Sequence, residues 1–218
     1  MAQRSPGPRP SARPRPAHPA AAARQRPCYA PNMRGALVVV DMLEDSLGEG
    51  RSSAITPHGR AIVPCVNELG HWARGRGWPV VFACDSFLPG DFIFRGKLKP
   101  CSLRGTPGAE PYAGLERRPD DLVVPKRRFS AFFKTDLDQT LRSWQVDTAI
   151  VCGISTPVCV LATALDAVSH DLRAVIVADA TAAASPEAHA AVLGLYRDTP
   201  LFPLLRVMTA RELREEAT

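Results

Sequence analysis

A cysteine stands at the start of a predicted helix, a position that favours a reactive thiol. The apolar run at residues 148–152 is broken by Gly153, and Pro157 suits the first turn of a helix because that turn does not need its N–H. Cys159 therefore falls where unpaired backbone N–H groups and the helix dipole favour a thiolate. This placement predicts a nucleophilic cysteine. The alternative is a small core residue, since free cysteine is often buried.

Charged side chains directly follow four other apolar runs. Asp41, Asp85, Lys126 and Asp179 each end such a run. In a parallel sheet the carboxyl ends of the strands share one edge, where ligands bind. A single aspartate at a strand end is commonly a turn former or a helix cap, whereas carboxylates, an ammonium and Cys159 at one edge indicate a site. Such a set supplies a nucleophile, a proton acceptor and a cation that stabilises an anion.

Apolar runs of strand length alternate with stretches of helical periodicity along the chain. Continuous apolar strands separated by helices are typical of a parallel sheet that is covered on both faces. The sequence therefore predicts an α/β fold, with three α-β-α layers around a six-stranded, mostly parallel sheet. The predicted strands are residues 36–40, 79–84, 121–125, 148–152, 173–178 and 204–208. The predicted helices are residues 57–75, 136–145 and 185–196 and a helix that begins at 157, and residues 86–120 are predicted as a long loop.

The positive charge of the chain is concentrated at its amino end. Residues 1–34 hold seven arginines and no acidic residue, so the formal net charge of +5 belongs to this tail and not to residues 35–218. Because it is rich in proline and lacks apolar periodicity, the tail is predicted to be disordered, and residues 35–218 to form one folded domain. The tail has no interleaved aromatic residues and no lysine cluster, which argues against a nucleic-acid partner and a membrane partner.

The cysteines and the apolar segments indicate a compartment. None of the six cysteines forms a C-x-x-C pair, which argues against a zinc ribbon and against a redox pair. The tail lacks the continuous apolar core of a signal peptide, and no later stretch is apolar enough to span a bilayer. The expectation is a reduced, cytoplasmic protein.

Three blocks of the sequence resemble the cysteine hydrolases of the isochorismatase-like superfamily, of which nicotinamidase is the familiar member. They are residues 36–42 (ALVVVDM), 126–132 (KRRFSAF) and 153–160 (GISTPVCV). The spacing of Lys-x-x-x-Ser-Ala-Phe and of Gly-Ile-Ser-Thr-x-x-Cys-Val makes the last two blocks specific. The resemblance covers about residues 35–210 and implies a six-stranded parallel sheet with helices on both faces, in agreement with the strand count.

The resemblance implies a catalytic triad of Asp41, Lys126 and Cys159. It also implies a cis peptide bond between Ile154 and Ser155, which places the Ser155 N–H beside that of Cys159 as an oxyanion hole. In this chemistry the thiolate attacks an amide carbonyl, Asp41 passes the proton to the leaving nitrogen, and water then hydrolyses a thioester. Superfamily members that cleave the vinyl ether of isochorismate lack the cysteine, so Cys159 favours acyl chemistry.

The sequence departs from the nicotinamidase pattern at the metal site. Nicotinamidases bind a metal through Asp-x-His and a later histidine, and here Asp85 is followed by Phe87 while the second histidine position falls near Cys101. We therefore expect a degenerate site with no metal and no other cofactor, and a substrate other than nicotinamide. Phe87, Phe92, Phe129 and Thr156 are the residues predicted to line the substrate pocket.

The resulting functional hypothesis is a cysteine hydrolase that cleaves a C–N bond of a small amide or N-carbamoyl compound. One alternative is a non-hydrolytic or inactive member of the superfamily that acts as a small-molecule binding or scaffold protein. Another is an interaction protein whose function lies in the basic tail. The expected partner is the small-molecule amide substrate, and the resemblance implies a homo-oligomer.

Overall fold

Six strands form a single parallel sheet in the computed structural model, which describes residues 33–217. The order of the strands across the sheet is β3-β2-β1-β4-β5-β6, and every neighbouring pair is parallel. The strands are β1 (Gly35–Val40), β2 (Val80–Asp85), β3 (Leu122–Lys126), β4 (Thr148–Ile154), β5 (Arg173–Ala182) and β6 (Leu205–Met208).

Seven α-helices cover the two faces of this sheet within residues 33–217. They are α1 (Glu44–Leu47), α2 (Thr56–Ala61), α3 (Val63–Gly75), α4 (Leu137–Ser143), α5 (Leu161–Ser169), α6 (Pro186–Arg197) and α7 (Ala210–Glu216). One face packs against α1, α3 and α7, and the other packs against α4, α5 and α6. The predicted α/β fold with three layers and six strands is thereby confirmed.

The central strand β1 shows why the strands are continuous apolar runs. All six of its residues are buried. Leu37 and Val39 belong to the apolar cluster on one face, and Val38 and Val40 belong to the cluster on the other. Burial of one such side chain stabilises the fold by about 1.5–3 kcal/mol, so a polar residue on either face of β1 would be costly.

The strand order reverses at β1, and this reversal places the site. From β1 the chain continues to β2 and β3 on one side, and it then crosses over to β4 on the other side of β1. Connections that leave neighbouring strands in opposite directions open a crevice at the carboxyl ends of those strands. The ends of β1 and β4 therefore border a crevice, which β2 and β3 extend.

The boundaries of several elements differ from the sequence prediction, and two of the differences change the architecture. The single helix predicted for residues 57–75 is two helices, α2 and α3, that meet at Ile62. Pro64 stands in the first turn of α3 and has no N–H to continue the hydrogen bonds of α2. Strand β5 continues beyond its predicted end to Ala182, after a register shift against β4 near Gly153.

The predicted disordered tail lies almost wholly outside the described residues. Met33 packs against the apolar core, and Arg34 donates a hydrogen bond to Gln145. The carbonyl of Arg34 accepts hydrogen bonds from the backbone N–H groups of Asp147 and Thr148. These two residues of the predicted tail therefore contact the domain just before β1. Among residues 33–217, no helix combines the length and the apolar character that a membrane crossing requires.

Candidate active site

Asp41 is held rigidly at the carboxyl end of β1. Its φ is 51°, in the left-handed region, which aspartate tolerates better than most residues do. Its backbone N–H donates to the carbonyl of Ala83, and its Oδ1 accepts from the backbone N–H of Asp85 at 2.8 Å. Its Oδ2 accepts from Lys126 Nζ at 2.7 Å. Both carboxylate oxygens are thus oriented from the neighbouring strands β2 and β3.

Lys126 carries a buried positive charge at the end of β3. Its side chain is fully buried, and Nζ donates to Asp41 Oδ2 at 2.7 Å, to Asp85 Oδ1 at 2.5 Å and to the carbonyl of Arg128 at 3.2 Å. An ammonium has three protons to donate, and these contacts use all of them. Burial alone would lower the pKa of Lys126, but Asp41 and Asp85 outweigh it and raise the pKa above its ordinary value.

Asp85 is the second carboxyl on the same ammonium. Burial, and then the negative charge of Asp41, raise the pKa of Asp85 to about 7, against the lowering effect of Lys126. One buried ammonium therefore does not hold both the buried carboxyl group of Asp41 and the partly buried one of Asp85 fully ionised near neutral pH. Sequence analysis placed Asp85 at the edge of the sheet, but it assigned this residue to a degenerate metal site rather than to Lys126.

Cys159 lies beside these carboxyl groups, in a wide π-helical turn, Thr156–Val160, that precedes α5. Its sulfur and one carboxylate oxygen each of Asp41 and Asp85 all lie within 4.8 Å of one another. Burial, and then Asp41, raise the pKa of Cys159 well above its ordinary value, although Lys126 lowers it. The direction of this shift favours a thiol in the resting site and opposes the predicted thiolate, because this helix start is buried and faces a carboxylate.

The connection between β4 and this turn requires a glycine. Gly153 has a φ of 102°, and a Cβ at this position would lie 2.2 Å from the carbonyl oxygen of Val40. A residue with a side chain would therefore push β4 away from β1. The peptide bond between Ile154 and Ser155 is cis, the conformation that the resemblance implies. Together these features bring Ser155 and Cys159 to the end of β1.

A cavity of about 270 Å³ opens above Cys159, and it contains two of the four predicted pocket residues. Phe87 and Phe129 line it. Phe92 does not, because its ring is 71% exposed and lies under the guanidinium of Arg95. Thr156 does not either: it is fully buried, and its Oγ1 is 2.9 Å from His189 Nδ1. Phe92 and Thr156 therefore stand outside the wall of this cavity, and their predicted contact with substrate stays a prediction.

Most side chains of the cavity wall were not identified from the sequence. The apolar side chains among them are Leu43, Ile55, Ile93, Leu98, Val158 and Ala184. They come from separate connections that follow different strands, so no local pattern in the sequence marks them as a set. Only the shared position at the carboxyl edge of the sheet relates them.

The residues at the degenerate metal position do not fit a metal ion. An oxygen of Asp85 is bound by Lys126, and Phe87 supplies a buried ring that packs edge-on against Phe94. Cys101 lines the cavity as an isolated thiol. Asp41, Asp85 and Cys159 are close enough to share an ion, but Nζ of Lys126 already binds both carboxylates. A metal ion at this point would be repelled by the positive charge of Lys126.

Asp179 is not part of the site, contrary to the expectation for the end of β5. The strand continues past it, and its exposed carboxylate accepts a hydrogen bond from the backbone N–H of Ala210 at the start of α7. An acid at this point satisfies one free N–H group and complements the helix dipole.

Comparisons with known proteins identify relatives of the chain. The model of the isochorismatase domain family matches residues 35–210. A protein of Arabidopsis thaliana described as a probable inactive nicotinamidase is 38% identical over 167 residues, which cover 72% of this chain and 84% of that protein. An isochorismatase-like hydrolase from Alkaliphilus metalliredigens superposes with a TM-score of 0.74 at 30% identity, covering 85% of this chain and 100% of that chain. N-carbamoylsarcosine amidase from Thermoplasma acidophilum gives a TM-score of 0.70 at 31% identity, covering 81% and 96%.

Proposed function

The chain belongs to the isochorismatase family, and we propose that it is a cysteine hydrolase of a C–N bond in a small amide or N-carbamoyl compound. One observation carries this proposal: Asp41 and Cys159 line one cavity, and Lys126 is buried behind Asp41 and donates a hydrogen bond to it. This set contains a nucleophile, a proton acceptor and a cation, as acyl transfer by a thiol requires. The structural similarity to N-carbamoylsarcosine amidase supports the choice of a C–N bond.

The first half of the reaction forms a thioester. Because the resting thiol is protonated, its proton passes to Asp41 as the sulfur attacks the carbonyl carbon. The C–S bond forms while the electrons of the C=O bond move to oxygen, and the N–H groups of Ser155 and Cys159 are proposed to donate to this oxyanion. Asp41 then gives the proton to the leaving nitrogen, the C–N bond breaks, and ammonia or an amine departs.

The second half restores the enzyme. Asp41 takes a proton from water, whose oxygen attacks the thioester carbon. The C–S bond breaks as the second tetrahedral adduct collapses, the acid departs, and the sulfur recovers the proton from Asp41. Lys126 stays protonated throughout, and its hydrogen bond to Oδ2 orients the carboxyl group of Asp41 between these transfers. No metal takes part in any of these steps.

We propose that nicotinamide is not the substrate. The family resemblance assigns the pyridine nitrogen of nicotinamide to a metal, and the residues at that position here do not fit one. Phe87 supplies an apolar ring where a ligand would stand, and Asp85 is bound to Lys126.

The alternative function, a binding or scaffold protein without catalysis, is favoured by one observation. The relative from Arabidopsis thaliana is described as inactive. Against this alternative stands the cost of the buried cluster, since each ion taken out of water costs several kcal/mol and a binding protein gains nothing from Lys126 there. The other alternative was an interaction protein that acts through its basic amino-terminal tail. That tail lies almost wholly outside the described part of the chain.

Two further expectations complete the proposal. We propose a reducing, cytoplasmic setting, which is supported by the absence of any disulfide among the five cysteines of residues 33–217. A homo-oligomer is proposed from the family resemblance.

Release of ammonia from a panel of amides and ureas tests the proposed function. Cys159→Ala is expected to abolish turnover and to remove the acyl adduct that intact-mass analysis detects after acid quenching. Cys152→Ala is the matched control, because Cys152 is a fully buried cysteine of β4 outside the cavity, and it is expected to retain turnover. Wild-type rates in Cys159→Ala would contradict the mechanism.

A further inference from the structure

The cavity above Cys159 has no cationic side chain among the described residues that line it. Its polar lining consists of Ser46, Cys101, Ser102 and Ser155, together with the carboxyl groups of Asp41 and Asp85. The remaining lining side chains are apolar. The ionisable side chains that a ligand meets in this cavity are therefore acidic or thiol groups, and none of the described lining residues carries a positive charge.

The closest cation of the site, Lys126, is not available to a ligand. It is fully buried below the two carboxylates, and its three protons bind Asp41, Asp85 and the carbonyl of Arg128. Its charge offsets that of Asp41 and is not exposed in the cavity wall. An anionic ligand would have to break one of these bonds to reach it.

The cations that follow Lys126 line a different cavity. Arg127 and Arg128 border a second cavity of about 460 Å³, together with Arg104 and Lys134. Arg127 binds the buried carboxylate of Asp91, and the guanidinium of Arg128 lies 3.6 Å from the same carboxylate. None of these four cations lines the cavity above Cys159.

From this distribution of charge we propose that the cavity selects an uncharged substrate with an apolar acyl group and rejects one that carries a carboxylate. The inference rests on the proposed function, because it names the substrate class of the same site. A carboxylate placed here would lose its water and find no cation in the cavity wall to pair with it, whereas an apolar group would lose nothing. N-carbamoylsarcosine, the compound in the name of the structural neighbour N-carbamoylsarcosine amidase, carries such a carboxylate.

The size of the cavity suits a small substrate. A volume of about 270 Å³ corresponds to roughly nine water molecules at about 30 Å³ each. One ring or one short branched chain, with the amide group placed at Cys159, fills this space.

Alkylation of Cys159 by a neutral and an anionic reagent tests the charge selection without any need for turnover. Iodoacetamide and iodoacetate transfer groups of similar size to the same sulfur and differ in charge. The full-length protein is treated with each, and the rate at Cys159 is followed by peptide mass spectrometry, with N-acetylcysteine amide as the free-thiol reference. Cys159 is expected to prefer iodoacetamide by about tenfold or more beyond the preference of the reference thiol. An equal preference would overturn the inference.

A pair of variants at the cavity wall ties the preference to charge. Leu98 lines the cavity and is 43% exposed, so a longer polar side chain is tolerated there without loss of core packing. Leu98→Lys places a cation at the cavity and is expected to bring the ratio of the two rates toward that of the reference thiol. Leu98→Met, of similar length and without charge, is expected to leave the ratio as in the wild type. An unchanged ratio in Leu98→Lys would show that charge does not set the preference.

Turnover of matched compounds extends the test to the reaction. Para-nitrobenzamide and para-carboxybenzamide have the same shape and differ in charge, as do isobutylurea and N-carbamoylglycine. The neutral member of at least one pair is expected to be hydrolysed, and its anionic partner is not. Equal kcat/KM within a pair would overturn the charge selection and leave the proposed function standing. Hydrolysis of none of the four would count against the proposed function, while the alkylation ratio still decides the charge selection.

Discussion

Lys126 and Arg127 are adjacent in the chain, yet they belong to two clusters of opposite character. In the buried cluster, Lys126 binds Asp41 and Asp85 beside Cys159. In the surface cluster, the half-exposed Arg127 binds Asp91. The two sets contain similar charges and differ at the cation, because Lys126 is fully buried and shared by two carboxyl groups, whereas Arg127 is half-exposed and binds one.

The two clusters shift the pKa of an aspartate in opposite directions. Burial and the neighbouring carboxylate raise the pKa of Asp85 to about 7. The hydrogen bond from Arg127, and then the one from the backbone N–H of Leu88, lower the pKa of Asp91 to about 2. A cation beside a carboxyl group therefore does not by itself predict the charge of that group. The solvation of the pair and the number of carboxyl groups per cation decide it.

These pKa values give the clusters different tasks. The surface cluster keeps Asp91 ionised, and Asp91 in turn accepts the N–H of Leu88 and holds the loop that carries Ile93 and Leu98 to the cavity wall. The buried cluster places a proton acceptor, Asp41, beside a thiol under low solvation. One cluster positions the wall of the cavity, and the other supplies the proposed chemistry.

The largest effect is expected when the buried cation is removed. Lys126→Met leaves two carboxyl groups buried without their counter-charge, which is expected to destabilise the fold by about 3–5 kcal/mol and to abolish turnover. Arg127→Met is the matched control from the surface cluster, where a single carboxyl group loses one partner and Arg128 still lies 3.6 Å from it. Urea unfolding of the two variants measures the difference. Similar losses in both would remove the distinction between the clusters.

The opposite pKa shifts predict opposite dependences of stability on pH. The unfolded chain releases the proton of Asp85 near the ordinary value of 3.8, while the folded protein keeps it up to about pH 7. The folded state then binds more protons, so the contribution of Asp85 to stability falls as the pH rises from about 4 to about 7. Asp85→Asn is expected to flatten this fall, as measured by urea unfolding across that range.

Asp91 supplies the other half of the pH comparison. Its pKa is lower in the folded protein, so its contribution is present above about pH 4 and is lost as the pH falls toward 2. Asp91→Asn is expected to remove this loss of stability below about pH 4. Between about pH 4 and pH 7 the variant is expected to show the same dependence of stability on pH as the wild type. If both variants changed the same pH range, the assignment of the two shifts would be wrong.

A smaller effect is expected from chelation. The buried cluster is occupied by the ammonium of Lys126, which leaves neither a free carboxylate pair nor three suitable ligands for tight zinc binding. The purified protein is expected to contain no stoichiometric metal by elemental analysis, and its activity is expected to survive a chelator. Near-stoichiometric zinc, with activity lost to the chelator and restored by metal, would bring nicotinamide back as a candidate substrate.

The smallest effect is expected from deletion of residues 1–30. This segment has a high content of arginine but no apolar periodicity, so it contributes little to a core. The melting temperature and the kcat/KM of the truncated protein are expected to match those of the full chain. A large drop in melting temperature would show that residues 1–30, with their arginines, contribute to the stability of the domain.

Much of the fold was predictable, because local patterns report burial on both faces of a strand. The run at residues 36–40 is wholly apolar and the run at residues 148–152 is apolar after Thr148, and they form the central strands β1 and β4. The break at Ile62 was not predicted, although Pro64 could have indicated it. Asp179 was misplaced because an apolar run ends there, while the strand continues through alanine and threonine.

By itself, the sequence determined the strands, their alternation with helices and, through the family resemblance, the identity of Asp41, Lys126 and Cys159 as a set. The tertiary structure alone decided the environment of that set, because its members lie far apart in the chain. Lys126 is 85 residues from Asp41 and 41 from Asp85, and only the parallel order of β3, β2 and β1 brings the three charges into contact. Their burial then makes Cys159 a resting thiol, and the packing of separate loops leaves a cavity wall without a cation. Both properties depend on solvation and distance, which residue types and spacing do not specify.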